Sequence, residues 1–113
     1  MPSVQAALDV AVLARFFRVL GDPTRLRILA LLEDGERTAG ELVAAVGGHQ
    51  PRISAHLACL RHCGFVETDR RGREIFYRIA LPGVASLLNA ATNASAPQAE
   101  RLASCSRIGP DWV

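Results

Sequence analysis

Cys59 and Cys63, four residues apart in the stretch HLACLRHCGF, are the side chains of this sequence best suited to chemistry. A thiol there can fill a core, act as a redox centre or ligate a metal ion. On a helix, residues at i and i+4 hold their β-carbons about 5–6 Å apart. A disulfide wants about 3.8 Å, so bridging this pair would distort the helix. Two thiolates on one ion can sit wider, because each bond is about 2.3 Å for zinc and longer for larger ions. The spacing favours a shared ion over a local disulfide. Turning the helix by about 100° per residue puts Ile53, Leu57 and Leu60 on one core-facing stripe. Cys59 then lies about 130° from the centre of that stripe and Cys63 about 90° from it. Core filling is therefore disfavoured for Cys59 and open for Cys63. Arg52 and His56 share the cysteine stripe.

The elements that must position these thiols read as a small, mostly helical domain. The chain has 113 residues, half of them hydrophobic but only 5% aromatic, so Leu, Val, Ile and Ala must build the core. A chain of this size has much surface for its volume, and dimerisation adds buried area. Residues 4 to 20 read as a helix with Leu8, Val12, Phe16 and Val19 in a stripe. In GDPTRLRILALLEDG, Asp22 suits an N-cap, Pro23 the first helical position and Gly35 the end. TAGELVAAVGG opens with Thr38 and Glu41, a capping box, and closes on Gly47 and Gly48. The next helix runs from about Gln50 to Cys63 and stops at Gly64. FVETDRRGREIFYRIA then alternates, with Ile75, Tyr77 and Ile79 on one face and a turn at Gly72. A final apolar helix starts at Pro82. From about Asn93 the chain turns Ala-, Ser- and Pro-rich. The fold class is mainly α with a two-stranded β-hairpin. Residues 1–93 are expected to form one domain, and residues 94–113 a flexible tail carrying Cys105.

Charge is unevenly placed. The net charge is +2, yet residues 50 to 80 hold Arg52, Arg61, Arg70, Arg71, Arg73 and Arg78 against Glu67, Asp69 and Glu74. A local basic excess is what a phosphate-facing surface needs. Two short capped helices joined by a Gly-containing turn suit a helix-turn-helix, and an Arg-tipped hairpin just after it suits a wing. The start of the chain lacks a basic signal region, and the apolar run from Ile28 to Leu32 is too short to cross a bilayer. A cytoplasmic location and no membrane partner are expected, and three cysteines suit a reducing compartment better than a disulfide framework.

LGDPTRLRILALL, GELVAAV, ISAHLACLRHCGFV and RRGREIFYRI together resemble the ArsR/SmtB family of metal-sensing bacterial repressors, from about Leu13 to Ile79. The resemblance implies a winged helix-turn-helix homodimer built on its first and last helices, with the segment from Gln50 to Cys63 as recognition helix. It implies that the metal-free dimer represses and that metal lowers its affinity for operator DNA. On that mapping Gln50, Arg52, Ser54, Ala55 and His56 lie near bases or phosphates of double-stranded DNA, and Arg70, Arg71 and Arg73 serve the wing. One branch of the family carries cysteines in the helix matching Thr38 to Val46, where this chain has none. Another uses carboxylates and histidines on the last helix, and Pro82 to Asn93 has neither. The pattern HLACLRHC with Cys105 matches a third branch, the CmtR-like cadmium- and lead-sensing repressors. The implied ligand set is Cys59, Cys63 and Cys105, the last on a tail that can reach across a dimer, so that it can come from the same or the other subunit.

Three thiolates suit soft ions, with Cd(II) and Pb(II) first and Hg(II) and As(III) next. Zn(II) would want a fourth ligand, for which His56 competes with its role on DNA. His62 points away from Cys63 and is expected to be solvated, and His49 is expected in a loop. Trp112 has no assigned role. A rival reading keeps the DNA-binding regulator and replaces metal by oxidation, with Cys105 forming a disulfide to Cys59 or Cys63. An enzyme is not expected: His62 and Cys63 are adjacent on a helix and point apart, no third group orients them, and GDPTR reads as a helix start rather than a phosphate loop. A metal chaperone would not need an arginine-tipped wing.

Overall fold

The computed structural model describes residues 8–108. Trp112 and the first residues of the expected N-terminal helix lie outside that range. Helix α1 spans Val10–Leu20, with the Asp9 carboxylate accepting from the Val12 N–H at 3.1 Å. Helix α2 spans Pro23–Leu32 and carries the expected cap: Asp22 accepts from the Arg25 N–H at 3.1 Å, with Pro23 behind it. The helix ends on Glu33, and Gly35 at φ 137° shapes the turn that follows.

Strand β1, Arg37–Thr38, is short enough to escape an alternation pattern. Thr38 does double duty. It pairs with Phe76, and its hydroxyl accepts from the Glu41 N–H at 3.1 Å while Glu41 accepts from the Thr38 N–H at 3.0 Å. That reciprocal box starts α3, Ala39–Val46, and Gly47 at φ 78° ends it. Helix α4, Gln50–His62, follows, with Cys63 as its C-cap. Strands β2 (Val66–Arg71) and β3 (Glu74–Ile79) form the hairpin, in register from Val66↔Ile79 to Arg71↔Glu74. Gly72 at φ 63° makes the two-residue turn. β1 joins β3, so the hairpin is the major part of a three-stranded antiparallel sheet in the order β1-β3-β2.

The core is aliphatic, as the composition requires. Ile28, Leu29, Leu32, Leu42, Ile53, Leu57, Leu60 and Val66 are fully or almost fully buried, with Phe65 beside them. Tyr77 and Ile79 pack against it, whereas Ile75 lies too near the hairpin tip and is exposed. In α1, Phe16 and Val19 meet the core, Phe16 stacking on Phe65 with ring centroids 5.1 Å apart. Leu8 and Val12, from the same expected stripe, are exposed, as are Val10, Leu13 and Phe17.

Helix α5, Val84–Ser95, begins two residues after Pro82, on Gly83 at φ 79°. Past Asn93, where the composition changes, the chain stays helical. A 3₁₀ turn (Ala96–Gln98) continues α5, and helix α6 (Ala99–Ser104) carries the chain to Cys105. Alanine-rich composition reads as low complexity but is also good helix former. No helix of the described residues is long and apolar enough to cross a membrane.

The Thr38 cap orients α3, against which α4 packs. Thr38→Ala should cost about 1 kcal/mol of unfolding free energy, and Thr38→Ser should restore most of it, both read from urea midpoints at constant m.

Candidate functional site

Burial of Ile53, Leu57 and Leu60 fixes the rotation of α4, as the helical period requires. Gln50, Arg52, Ser54 and Ala55 consequently face solvent. Arg52 makes no ion pair among the described residues. This is a free polar edge on a helix whose partner α3 is joined to it by Gly47, Gly48 and His49, the geometry of a helix-turn-helix.

His56 departs from its expected place. It is half-buried, and its Nδ1 accepts from Arg25 Nε at 3.1 Å. Its Nε2 sits 3.8 Å from Asp22 Oδ1, the same oxygen that caps α2. The imidazole thus leans on the start of α2, with Nδ1 engaged by Arg25 and Nε2 near Asp22 but beyond hydrogen-bond distance. The 100° wheel placed it on the cysteine stripe correctly, but α2 covers that stripe at His56.

The wing is also more committed than its arginine count suggests. Arg71 donates through both terminal nitrogens to the Glu36 carboxylate, through Nε to Asp69 at 3.1 Å, and lies 4.5 Å over the Phe76 ring. These contacts raise its pKa, the Glu36 bond most of all. Arg71 therefore braces the hairpin against the β1 loop while its side chain stays half exposed. Arg78 is similarly paired with Glu67 at 2.7 Å. Arg70 and Arg73 make no ion pair among the described residues, and Arg70 Nε donates only to the Gly72 carbonyl at 3.3 Å. They are the wing's available cations.

All three cysteines are free thiols; Cys59 and Cys105 are half-buried and Cys63 is exposed. Cys63 sits just past the last helical turn, which explains why it is more open than its wheel angle suggests. Partial burial pushes its thiol up from the ordinary value, and the neighbouring Cys59 thiol adds to that, by charge and by hydrogen bonding. The positive charges of Arg25 and Arg15 act in the opposite sense. The two sulfurs thus share one local environment, as i, i+4 spacing demands. Cys105, the C-cap of α6, does not complete it within one chain: among the described residues no three His, Cys, Asp or Glu side chains gather at ligating spacing. Two thiolates are an incomplete but suitable donor set for a soft ion.

Residues 22–68 match the family described as bacterial regulatory protein, arsR family. The chain is 46% identical to a "Probable mercury resistance operon repressor" of Streptomyces lividans over 95 residues, 84% of this chain and 76% of that one. It belongs to the arsR family. The chain is thus a transcriptional repressor of that family and not an enzyme. It is also 47% identical over 68 residues to the transcriptional regulator CmtR of Mycobacterium tuberculosis, a match spanning 60% of this chain and 58% of CmtR's length. The fold matches the homodimeric winged helix-turn-helix DNA-binding domain Mb0332 of Mycobacterium bovis, with a TM-score of 0.70 at 34% identity, over 89% of this chain and 93% of that one.

Arg25 and Glu36 matter to the site and escaped the sequence reading. Their partners are 31 and 35 residues away, beyond the reach of local periodicity. Arg25 did have a signal, since it sits in the DPTR segment that carries the family resemblance.

Because the Cys59 thiol raises that of Cys63, Cys59→Ser should lower the apparent pKa of Cys63. The pH dependence of iodoacetamide labelling at Cys63, followed by mass spectrometry, reads this: the rate should reach its plateau at lower pH in the variant than in the wild type.

Proposed function

We propose that this protein is a metal-responsive repressor whose homodimer holds operator DNA in the metal-free state and releases it when a thiophilic ion occupies Cys59, Cys63 and Cys105. The observation that carries the reading is the placement of the paired thiols on α4, the helix whose other edge presents Gln50, Arg52, Ser54 and Ala55. A ligand at the pair acts on the element that reads DNA. Two α4 helices of a dimer enter successive major grooves, and Arg70 and Arg73 take backbone phosphates. Arg71 holds the wing in place from behind.

Dimerisation is supported by the apolar surface that α1 leaves open in a single chain, with Val10 68% and Phe17 50% exposed, and by exposed Leu102 on α6. The homodimeric Mb0332 domain supports the same assembly. The third thiolate then comes from Cys105 of the partner subunit, because one chain does not bring its own Cys105 to the pair.

Three thiolates suit Hg(II), Cd(II) or Pb(II). The names of the Streptomyces lividans and CmtR relatives support this class, and the longer match puts Hg(II) level with the other two. Zn(II) falls last, since His56, the candidate fourth ligand, is engaged by Arg25. Oxidation is the weaker reading: desolvation and the Cys59 thiol push the Cys63 thiol up, which disfavours the thiolate that attacks peroxide, whereas a soft metal ion competes with protons directly.

Fluorescence anisotropy with a duplex selected from a random library, at fixed salt, tests the reading. Metal should weaken wild-type binding by about 5–150-fold. Cys59→Ser and Cys63→Ser should bind the duplex as the wild type does and stay bound when Hg(II), Cd(II) or Pb(II) is added. Normal release from Cys59→Ser would sink the scheme.

A further inference from the structure

We infer that Glu36 is a positioning residue for DNA binding: through Arg71 it sets the pose of the wing tip, and with it the reach of Arg70 and Arg73, while touching no DNA itself. The inference rests on the wing contacts proposed above and names the residue that holds them in place.

Strand alternation sorts the arginines of the hairpin. Val66 is buried in the core, so Thr68 and Arg70 share its side of β2, while Glu67, Asp69 and Arg71 lie on the other. Both arginines of that outer side are paired. Arg78 meets Glu67 at 2.7 Å, and Arg71 meets Asp69 at 3.1 Å and the Phe76 ring at 4.5 Å. Those contacts stay within the hairpin. The bond to Glu36 leaves it, with Arg71 Nη2 donating to Oε2 at 2.9 Å and Nη1 donating to Oε1. Arg70 on the inner side and Arg73 in the turn make no ion pair among the described residues.

Little else holds the tip. β1 pairs with β3 at Tyr77 and Phe76, so residues 70–75 project as two strands without a third. A two-stranded hairpin by itself is marginally stable at best. On the inner side, an open cavity of about 390 Å³ lies between Arg73 and Ile75 of the tip and Ala39 and Gly40 at the start of α3. Packing therefore does not fix the tip from that side, and Ile75 is exposed. Among the described residues, the Glu36–Arg71 fork is the one side-chain hydrogen-bonded tie from residues 70–75 to anything outside the hairpin. Two parallel bonds fix direction as well as distance. Glu36 itself sits in the turn between α2 and β1, so the fork anchors the tip to the body of the domain.

The sign of one substitution tests this. Glu36→Gln removes a negative charge, which by electrostatics alone tightens binding to a polyanion. Loss of the fork predicts the opposite. The metal-free, full-length protein is titrated into the duplex selected from a random library, at several salt concentrations, with cooperative thermal unfolding as the check on folding. Glu36→Gln should bind about 2–5-fold more weakly at about 0.15 M salt. The slope of log affinity against log salt should be shallower by about 0.9 for each phosphate the tip gives up. In an Arg70→Gln/Arg73→Gln background, Glu36→Gln should weaken binding no further. Unchanged or tighter binding by Glu36→Gln would overturn the inference. So would weaker binding with the wild-type slope, which marks a loss of folded protein rather than of wing contacts. Should Arg71→Gln flatten the slope while Glu36→Gln does not, Arg71 is itself the phosphate contact and Glu36 only its neighbour. Wild-type affinity and slope in the Arg70→Gln/Arg73→Gln protein would show that the wing does not meet DNA, and would remove the proposed wing contacts and the role of Glu36 with them.

Discussion

The rotation of α4 about its own axis is the constraint on which the rest of this molecule depends. Three side chains set it: Ile53, Leu57 and Leu60, at most 2% exposed. Each such burial contributes about 1.5–3 kcal/mol, against about 0–1 kcal/mol for an exposed ion pair. The helix therefore does not roll in response to a surface event, and the same edge always faces outward. At its first half α4 is tied to α2 by the Arg25–His56 hydrogen bond of 3.1 Å. Rotation fixed by the core keeps Gln50, Arg52, Ser54 and Ala55 presented to solvent.

The arginines divide into two sets. The basic excess of residues 50 to 80 is partly consumed within the fold, since Arg71 braces the wing against Glu36 and Arg78 pairs with Glu67. Arg52, Arg61, Arg70 and Arg73 make no ion pair among the described residues. A braced wing also loses less conformational freedom when it docks.

Much of this was legible in the sequence because it is local. Asp22 with Pro23, the Thr38–Glu41 box and Gly72 each act within a few residues, and each stands where pattern places it. The core stripe of α4 follows from helical period alone. What stayed hidden joins distant segments: the two-residue β1, whose strand character comes only from pairing with β3, the Arg25–His56 bond and the Arg71–Glu36 brace. Exposure of the thiols also depended on context. Cys63 lies nearer the core stripe by angle than Cys59, yet it is the more exposed, because the helix ends at His62. Residues 96–104 illustrate a further limit: alanine and serine make that stretch read as tail while permitting helix.

The central claim is that a soft metal ion joins the α4 thiol pair to Cys105. The most direct measurement is an anaerobic titration of the reduced protein with Hg(II), Cd(II) and Pb(II), followed by ultraviolet thiolate-to-metal charge transfer, beside the same titration of Cys105→Ser. The account predicts saturation at one ion per protomer, with weaker binding and a smaller band per ion in the variant. A wild-type titration without a saturable band, or a Cys105→Ser titration indistinguishable from it, would contradict the account.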